Sequence, residues 1–134
     1  HELGHIIFRE FVGFKADIPA WFEEGIAMYQ EDAKRWGAHD AVKKALKDGT
    51  FIPLDKLTIA QLNNFSSSDQ VNLFYAESAS IMNYLLTEHG QQRFVRLCRE
   101  LQTGRPFEWA LESVYVRFKN IYALNKAWVN YLTE

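Results

Sequence analysis

Two histidines and a glutamate at the start of the chain have the types and spacing of a hydrolytic metal site. His1 and His5 are four residues apart in the pattern H-E-x-x-H. On a helix both imidazoles then lie on one face and can bind a single Zn²⁺. Glu2 lies at the edge of that face, where its carboxylate can hold a metal-bound water and take its proton. The pattern therefore predicts a zinc ion bound by His1 and His5, with Glu2 as general base.

A zinc ion that activates water needs three protein ligands and one open position. Glu24 lies far enough after His5 for the chain to leave the first helix, turn near Gly13 and return on a second helix. The neighbouring Glu23 diverges from it by about 100° around that helix, so only one of the two faces the metal. Gly25 removes a side chain where two helices would meet, which favours Glu24. We expect Glu24 as the third ligand and Glu23 as a supporting or surface carboxylate.

Hydrolysis also needs a donor for the oxyanion of the tetrahedral intermediate, and a tyrosine hydroxyl on a third helix can supply it. Tyr75, in the segment Phe74-Tyr75-Ala76-Glu77-Ser78-Ala79-Ser80, is the first candidate, and Tyr84 is the second. An ordinary core tyrosine on an apolar helix is the competing interpretation for Tyr75.

The elements that must position these residues are helices, because apolar residues recur at helical spacing nearly throughout the chain. We predict one all-α domain over residues 1–134 with roughly six to eight helices. The long helix extends from a cap at Ser68 or Asp69 to Glu88 and stops at Gly90. Its middle is small in side-chain volume, so another helix can approach it closely. The predicted helices cover residues 1–11, 17–31, 40–47, 57–62, 68–88, 91–101, 106–114 and 120–132.

Composition supports a packed globular domain and argues against two classes of partner. The 134 residues are 48% hydrophobic and 15% aromatic, and the formal net charge is −2. No basic patch indicates nucleic-acid binding, and no apolar run is long enough to span a bilayer. The single cysteine, Cys98, is expected to be buried. His39 and His89 have no partner at metal spacing and are expected at the surface, while the four tryptophans are expected mostly in the core.

Three sequence blocks in this order resemble the gluzincin zinc metallopeptidases. The blocks are His1-Glu2-Leu3-Gly4-His5, then, after an 18-residue gap between His5 and Glu24, Trp21-Phe22-Glu23-Glu24-Gly25-Ile26-Ala27, and finally Tyr75-Ala76-Glu77-Ser78-Ala79-Ser80. They are similar to aminopeptidase N-type enzymes and to smaller peptidase-MA-like domains, over roughly residues 1–90. The aminopeptidases have glycine where this chain has Ser78.

The resemblance implies the helical half of a zincin-like catalytic domain. It implies His1, His5 and Glu24 as ligands of Zn²⁺, Glu2 as general base and Tyr75 as oxyanion donor. The substrate would be a peptide or protein.

Because the zinc motif begins at the first residue, the chain is expected to be the C-terminal part of a gluzincin catalytic domain within a longer protein. Two other functions are compatible with the same residues. One is a zinc-binding helical domain without protease activity that acts as a scaffold or sensor. The other is a helical interaction module in which the motif is incidental. The sequence indicates no substrate preference, compartment or oligomeric state.

Overall fold

The computed structural model describes residues 18–29, 32–61 and 64–134. These residues form seven helices and no strand, so the chain is all-α, as its sequence predicts. The helix predicted over residues 1–11 lies outside the described residues. The seven are α1 (Ala20–Tyr29), α2 (Asp32–Asp48), α3 (Leu54–Ile59), α4 (Ser68–His89), α5 (Gln91–Gln102), α6 (Phe107–Val114) and α7 (Ile121–Thr133).

Helix α4 is the centre of the fold, and α1 and α2 make their most extensive contacts with it. Its first turn is capped by Ser67, whose Oγ accepts a hydrogen bond from the Gln70 N–H at 3.2 Å. The cap is one residue earlier than predicted. Gly90 ends the helix at φ +86°, a conformation in which glycine avoids a Cβ clash. The small residues Ser78, Ala79 and Ser80 are buried, which confirms the central position predicted for this helix.

Glycine at position 25 lets α1 lie directly against α4. A Cβ added to Gly25 would be 2.7 Å from the main-chain oxygen of Ser78 and 3.1 Å from the Cβ of Met82. Both separations are shorter than ordinary van der Waals contacts, so a larger residue would force the two helices apart. The close approach expected from the sequence is therefore present, and it occurs at the residue next to Glu24.

Two helices differ from their predicted bounds. Helix α2 begins at Asp32 and not near Asp40, and it continues through the exposed Gly37. Helix α3 is Leu54–Ile59 and not 57–62, because Pro53 stands in extended conformation at its N-cap position. The main-chain N–H of Leu54, which a helix N-terminus leaves without an internal acceptor, donates to Asn125 Oδ1 at 2.9 Å.

The core is built from aromatic and aliphatic side chains of every helix. Trp21 and Phe22 of α1 are fully buried and contact the Phe107 ring of α6 edge to face, at centroid distances of 5.7 and 5.1 Å. At the other end, Trp128 of α7 packs on Phe51 at 5.4 Å. Cys98 is buried, as predicted, and burial raises the pKa of its thiol to about 12. Trp109 is an exception to the predicted pattern, with 45% of its surface exposed.

The prediction that His39 is a surface residue was wrong, because its ring joins three helices through a half-buried hydrogen-bond chain. His39 Nδ1 is 2.7 Å from Ser80 Oγ, and Nε2 is 3.0 Å from Asn83 Oδ1. Trp128 Nε1 donates to the same serine oxygen at 3.0 Å. Since an amide oxygen only accepts, this network fits a neutral ring that carries its proton on Nε2 and accepts from Ser80. His89 is also partly buried, against the rings of Tyr84, Tyr115 and Phe118.

In the described part of the chain, every helix falls short of the length or the apolar character that crossing a membrane requires.

Candidate metal centre

Glu24 lies half-buried on α1, beside the point where α1 and α4 touch. Met28 is four residues later and therefore on the same side of α1. It forms a small buried apolar cluster with Ala38 of α2 and Ala79 of α4, and Tyr75 packs against this cluster. Glu24 and Tyr75 thus belong to elements that pack on one another, on the side of α4 that faces α1.

Of the two tyrosine candidates, Tyr75 is on the α1-facing side of α4 and Tyr84 is on the other. The nine residues between them turn the helix by about half a revolution, which places their side chains on opposite faces. Tyr84 is 6% exposed, and its ring packs on Tyr131 of α7 at 5.0 Å. Its hydroxyl is 3.4 Å from His89 Nε2, and burial raises the pKa of this phenol above its ordinary value. Tyr84 is therefore enclosed among aromatic rings away from α1.

The remaining predicted site residues, His1, Glu2 and His5, lie outside the described residues. Within residues 18–29, 32–61 and 64–134, no group of three or more histidine, cysteine, aspartate or glutamate side chains could hold a metal ion. Glu24 therefore has no complete ligand set inside the described ranges. A site that includes it needs ligands from the first 17 residues.

A buried carboxyl group on α4 was not singled out by the sequence. Glu77 is fully buried; its Oε1 accepts from the Ile52 N–H at 2.8 Å. Its Oε2 has no hydrogen-bond partner among the described residues. Burial raises the pKa of Glu77 from 4.5 to about 8, although the hydrogen bond from Ile52 acts in the opposite direction. Glu77 is therefore protonated at neutral pH.

Its position in sequence gave a weak signal for this burial, because Phe74 and Ile81, three residues before and four after Glu77, are core residues. The periodicity alone predicts that the side of α4 carrying Glu77 is buried, but it does not indicate which main-chain group pairs with the carboxyl.

The serine that replaces glycine in the third sequence block fits this packing. Ser78 is fully buried, and its hydroxyl donates to the main-chain oxygen of Phe74 in the preceding turn, at 2.8 Å. The hydroxyl is thereby satisfied within its own helix. Since the atom that limits the approach of α1 is the main-chain oxygen of Ser78, the close contact at Gly25 is compatible with serine here.

These features define an all-helical domain in which a carboxylate-bearing helix is pressed against a central, tyrosine-bearing helix. A family model of the peptidase MA superfamily matches residues 1–134, and the chain belongs to this superfamily. Neither a curated protein nor a solved structure matches the chain.

Membership of the superfamily indicates hydrolysis of the metallopeptidase type, with peptides or proteins as substrates. Peptidases of this superfamily are generally zinc-dependent. The class of activity predicted from the sequence is therefore supported at this level.

Proposed function

We propose that the chain is the helical, C-terminal part of a gluzincin catalytic domain that hydrolyses peptide bonds with zinc. His1, His5 and Glu24 are the proposed metal ligands, Glu2 the general base and Tyr75 the oxyanion donor. The observation that carries the proposal is the match to the peptidase MA superfamily over residues 1–134, a range that includes all five residues.

The described residues fit a zinc ion at this position. Two neutral imidazoles and one carboxylate form a common ligand set of catalytic zinc. Glu24 is half-buried on a helix whose position is fixed by the contact of Gly25 with α4. A ligand held on a packed helix loses little conformational freedom when it binds the metal, which favours affinity.

Each residue has a separate role in the proposed reaction. When bound, zinc would polarise the scissile carbonyl and lower the pKa of a coordinated water to about 7. Glu2 takes the proton of the attacking water and passes it to the leaving amine. The Tyr75 hydroxyl donates a hydrogen bond to the carbonyl oxygen as negative charge develops there.

Two arguments favour Tyr75 over Tyr84 as this donor. Tyr75 packs against the cluster that includes Met28 of α1, the helix that carries Glu24. Tyr84 lies on the opposite side of α4, among the rings of α7 and of the segment around His89. A donor must reach the same substrate carbonyl as the metal, so the tyrosine nearer to α1 is the better candidate.

The test of the metal site is zinc content in the full-length protein, measured by mass spectrometry after dialysis. We expect one zinc per chain, and we expect Glu24→Gln to lose it. The matched control is Glu23→Gln, which changes the adjacent carboxylate and should retain zinc. Equal zinc content in the two variants would rule out Glu24 as a ligand.

The test of the catalytic roles is hydrolysis of a peptide library. Glu2→Gln should keep zinc and abolish turnover. Tyr75→Phe should lower kcat by about 100- to 1,000-fold, the usual effect of removing one oxyanion donor, with Tyr84→Phe as the control. A fully active Glu2→Gln enzyme would refute the mechanism, and zinc binding without any turnover would indicate a non-catalytic zinc domain.

A further inference from the structure

A cleft of about 710 Å³ opens beside the proposed metal ligand. It lies between the start of α1, the end of α3 and the start of α6, and we call it the Glu23 cleft after the residue of α1 that lines it. Its volume is within the range of about 300–1,000 Å³ that is usual for small-molecule sites. Glu23 is adjacent in sequence to Glu24, so the cleft is within one side-chain length of the proposed catalytic centre.

The walls of the Glu23 cleft are mainly apolar. Ile18, Ile59 and Phe107 are among the residues that line it, and Gln61 adds a neutral polar group. Ile59 is 79% exposed, which is unusual for a large aliphatic side chain. Exposed apolar surface next to a concavity is typical of a site that another molecule covers.

The charge of the cleft is of one sign. Glu23 and Glu108 are the ionisable residues among its described lining, and no lysine, arginine or histidine of the described ranges lines it. Arg105 is close in sequence, but its guanidinium carbon lies 4.3 Å above the Trp109 ring and its Nε is 3.6 Å from a carboxylate oxygen of Glu100.

Other clefts of similar size lack this character. A cleft of about 740 Å³ between α2 and α4 carries Lys44 and Lys56 together with Asp48 and Asp69, so its charges balance. A cleft of about 650 Å³ along α2 has more lysines than carboxylates. Acidic character combined with apolar walls therefore distinguishes the Glu23 cleft.

We propose that the Glu23 cleft is a specificity site that binds an arginine or lysine side chain of the peptide substrate, next to the scissile bond. Such side chains have an apolar stem and a cationic end. The stem matches walls such as Ile59 and Phe107, and the cation matches the carboxylates of Glu23 and Glu108. This inference rests on the proposed peptidase function, because it takes the occupant to be part of a peptide substrate.

The test compares arginine with citrulline, which has nearly the same shape but no charge. Peptide pairs that differ only in this residue, placed in turn at each position, are titrated calorimetrically into full-length protein carrying Glu2→Gln. We expect the arginine peptide to bind at least about tenfold more tightly at one position, the usual effect of a hydrogen bond to a charged group.

Substitutions in the cleft identify the site of this preference. Adding Glu23→Gln should reduce the ratio of arginine to citrulline affinity about tenfold, and Glu108→Gln, at an exposed position, should reduce it in the same direction. Glu112→Gln is the matched control, since Glu112 lies one turn after Glu108 on α6 and does not line the cleft. Its ratio should be that of the parent protein.

The outcomes separate this inference from the proposed function. Equal affinity for both peptides at every position, or a preference that survives Glu23→Gln and Glu108→Gln, would overturn the cleft assignment even if the wild-type enzyme hydrolyses peptides. A preference that is lost in these variants, in a protein without any turnover, would support the assignment and refute the peptidase mechanism.

Discussion

Replacing Glu77 by glutamine will change how the stability of this protein depends on pH. The carboxyl group is fully buried and its pKa is raised to about 8, against 4.5 for the exposed group. A carboxyl whose pKa is higher in the folded state stabilises the fold fully only below pH 4.5. That contribution is lost as the pH rises towards 8, because the unfolded chain ionises while the folded one stays protonated.

The magnitude follows from the two pKa values. Between pH 5 and pH 7 the unfolded chain has released most of one proton that the folded chain keeps, so linkage predicts a loss of about 2.5 kcal/mol in the free energy of unfolding. The glutamine side chain of the Glu77→Gln variant cannot ionise, yet its amide oxygen can still accept from the Ile52 N–H. The stability of the variant relative to wild type should therefore increase by about 2.5 kcal/mol over this range.

The assay is urea unfolding followed by circular dichroism at pH 5, 6 and 7, with the free energy of unfolding extrapolated to water. The informative quantity is the difference between variant and wild type at each pH, because other titrating groups cancel in it. Glu88→Gln, at an exposed position on the same helix, controls for the loss of a carboxyl group and should shift stability by about 0.5 kcal/mol or less. A difference for Glu77→Gln that stays constant from pH 5 to pH 7 would show that the buried carboxyl is ionised in the folded protein.

Three further predictions concern the packing and the proposed metal. Gly25→Ala should lower the free energy of unfolding by about 1–3 kcal/mol, because the added methyl would lie 2.7 Å from a main-chain oxygen of α4. Gly37→Ala, in α2 with nothing within 4 Å of the new methyl, should instead stabilise by up to about 1 kcal/mol, and equal thermal shifts in the two variants would contradict the packing argument. Ser80→Ala should cost about 1–3 kcal/mol in denaturant unfolding, since it removes the acceptor of a buried indole N–H, whereas the exposed Ser113→Ala should be nearly neutral. Zinc at 100 times its Kd should stabilise the full-length protein by about 2.7 kcal/mol, and a chelator should reverse the gain; a melting temperature indifferent to both would argue against a bound metal.

Local signals in the sequence predicted several helix ends, because the groups that end a helix are neighbours in the chain. Asn120 was predicted at the start of the last helix, and its side chain does cap α7 by accepting from the Ala123 N–H at 2.9 Å. Gly90 was predicted as the stop of the long helix and ends it. The start of α2 was predicted too late, since Gly37 and its polar neighbours resemble a loop when helical propensity is judged without tertiary contacts.

Partners distant in sequence could not be predicted. The ring of His39 is bonded to Ser80 and Asn83, more than 40 positions later. Nothing in the local pattern of a single histidine in a polar helix indicates those partners. The same holds for Glu77, whose acceptor role depends on the loop after α2. For the candidate site, the sequence predicted the residue at which α1 and α4 make contact, because Gly25 reports a steric requirement directly. The relation of Glu24 to His1 and His5 stays a prediction.

The long-range bonds that escaped sequence analysis serve to fix the helix that carries Tyr75. On one side of α4, Glu77 holds the main chain at Ile52. On another, Ser80 receives the Trp128 indole and contacts His39, which ties α2 and α7 to the same turn. The contact at Gly25 fixes the side that faces α1. A helix held on three sides cannot rotate without breaking a buried hydrogen bond or opening a packed interface. If Tyr75 acts as proposed, this anchoring would keep its hydroxyl in place before substrate binds, and preorganisation of this kind gives an oxyanion donor most of its effect.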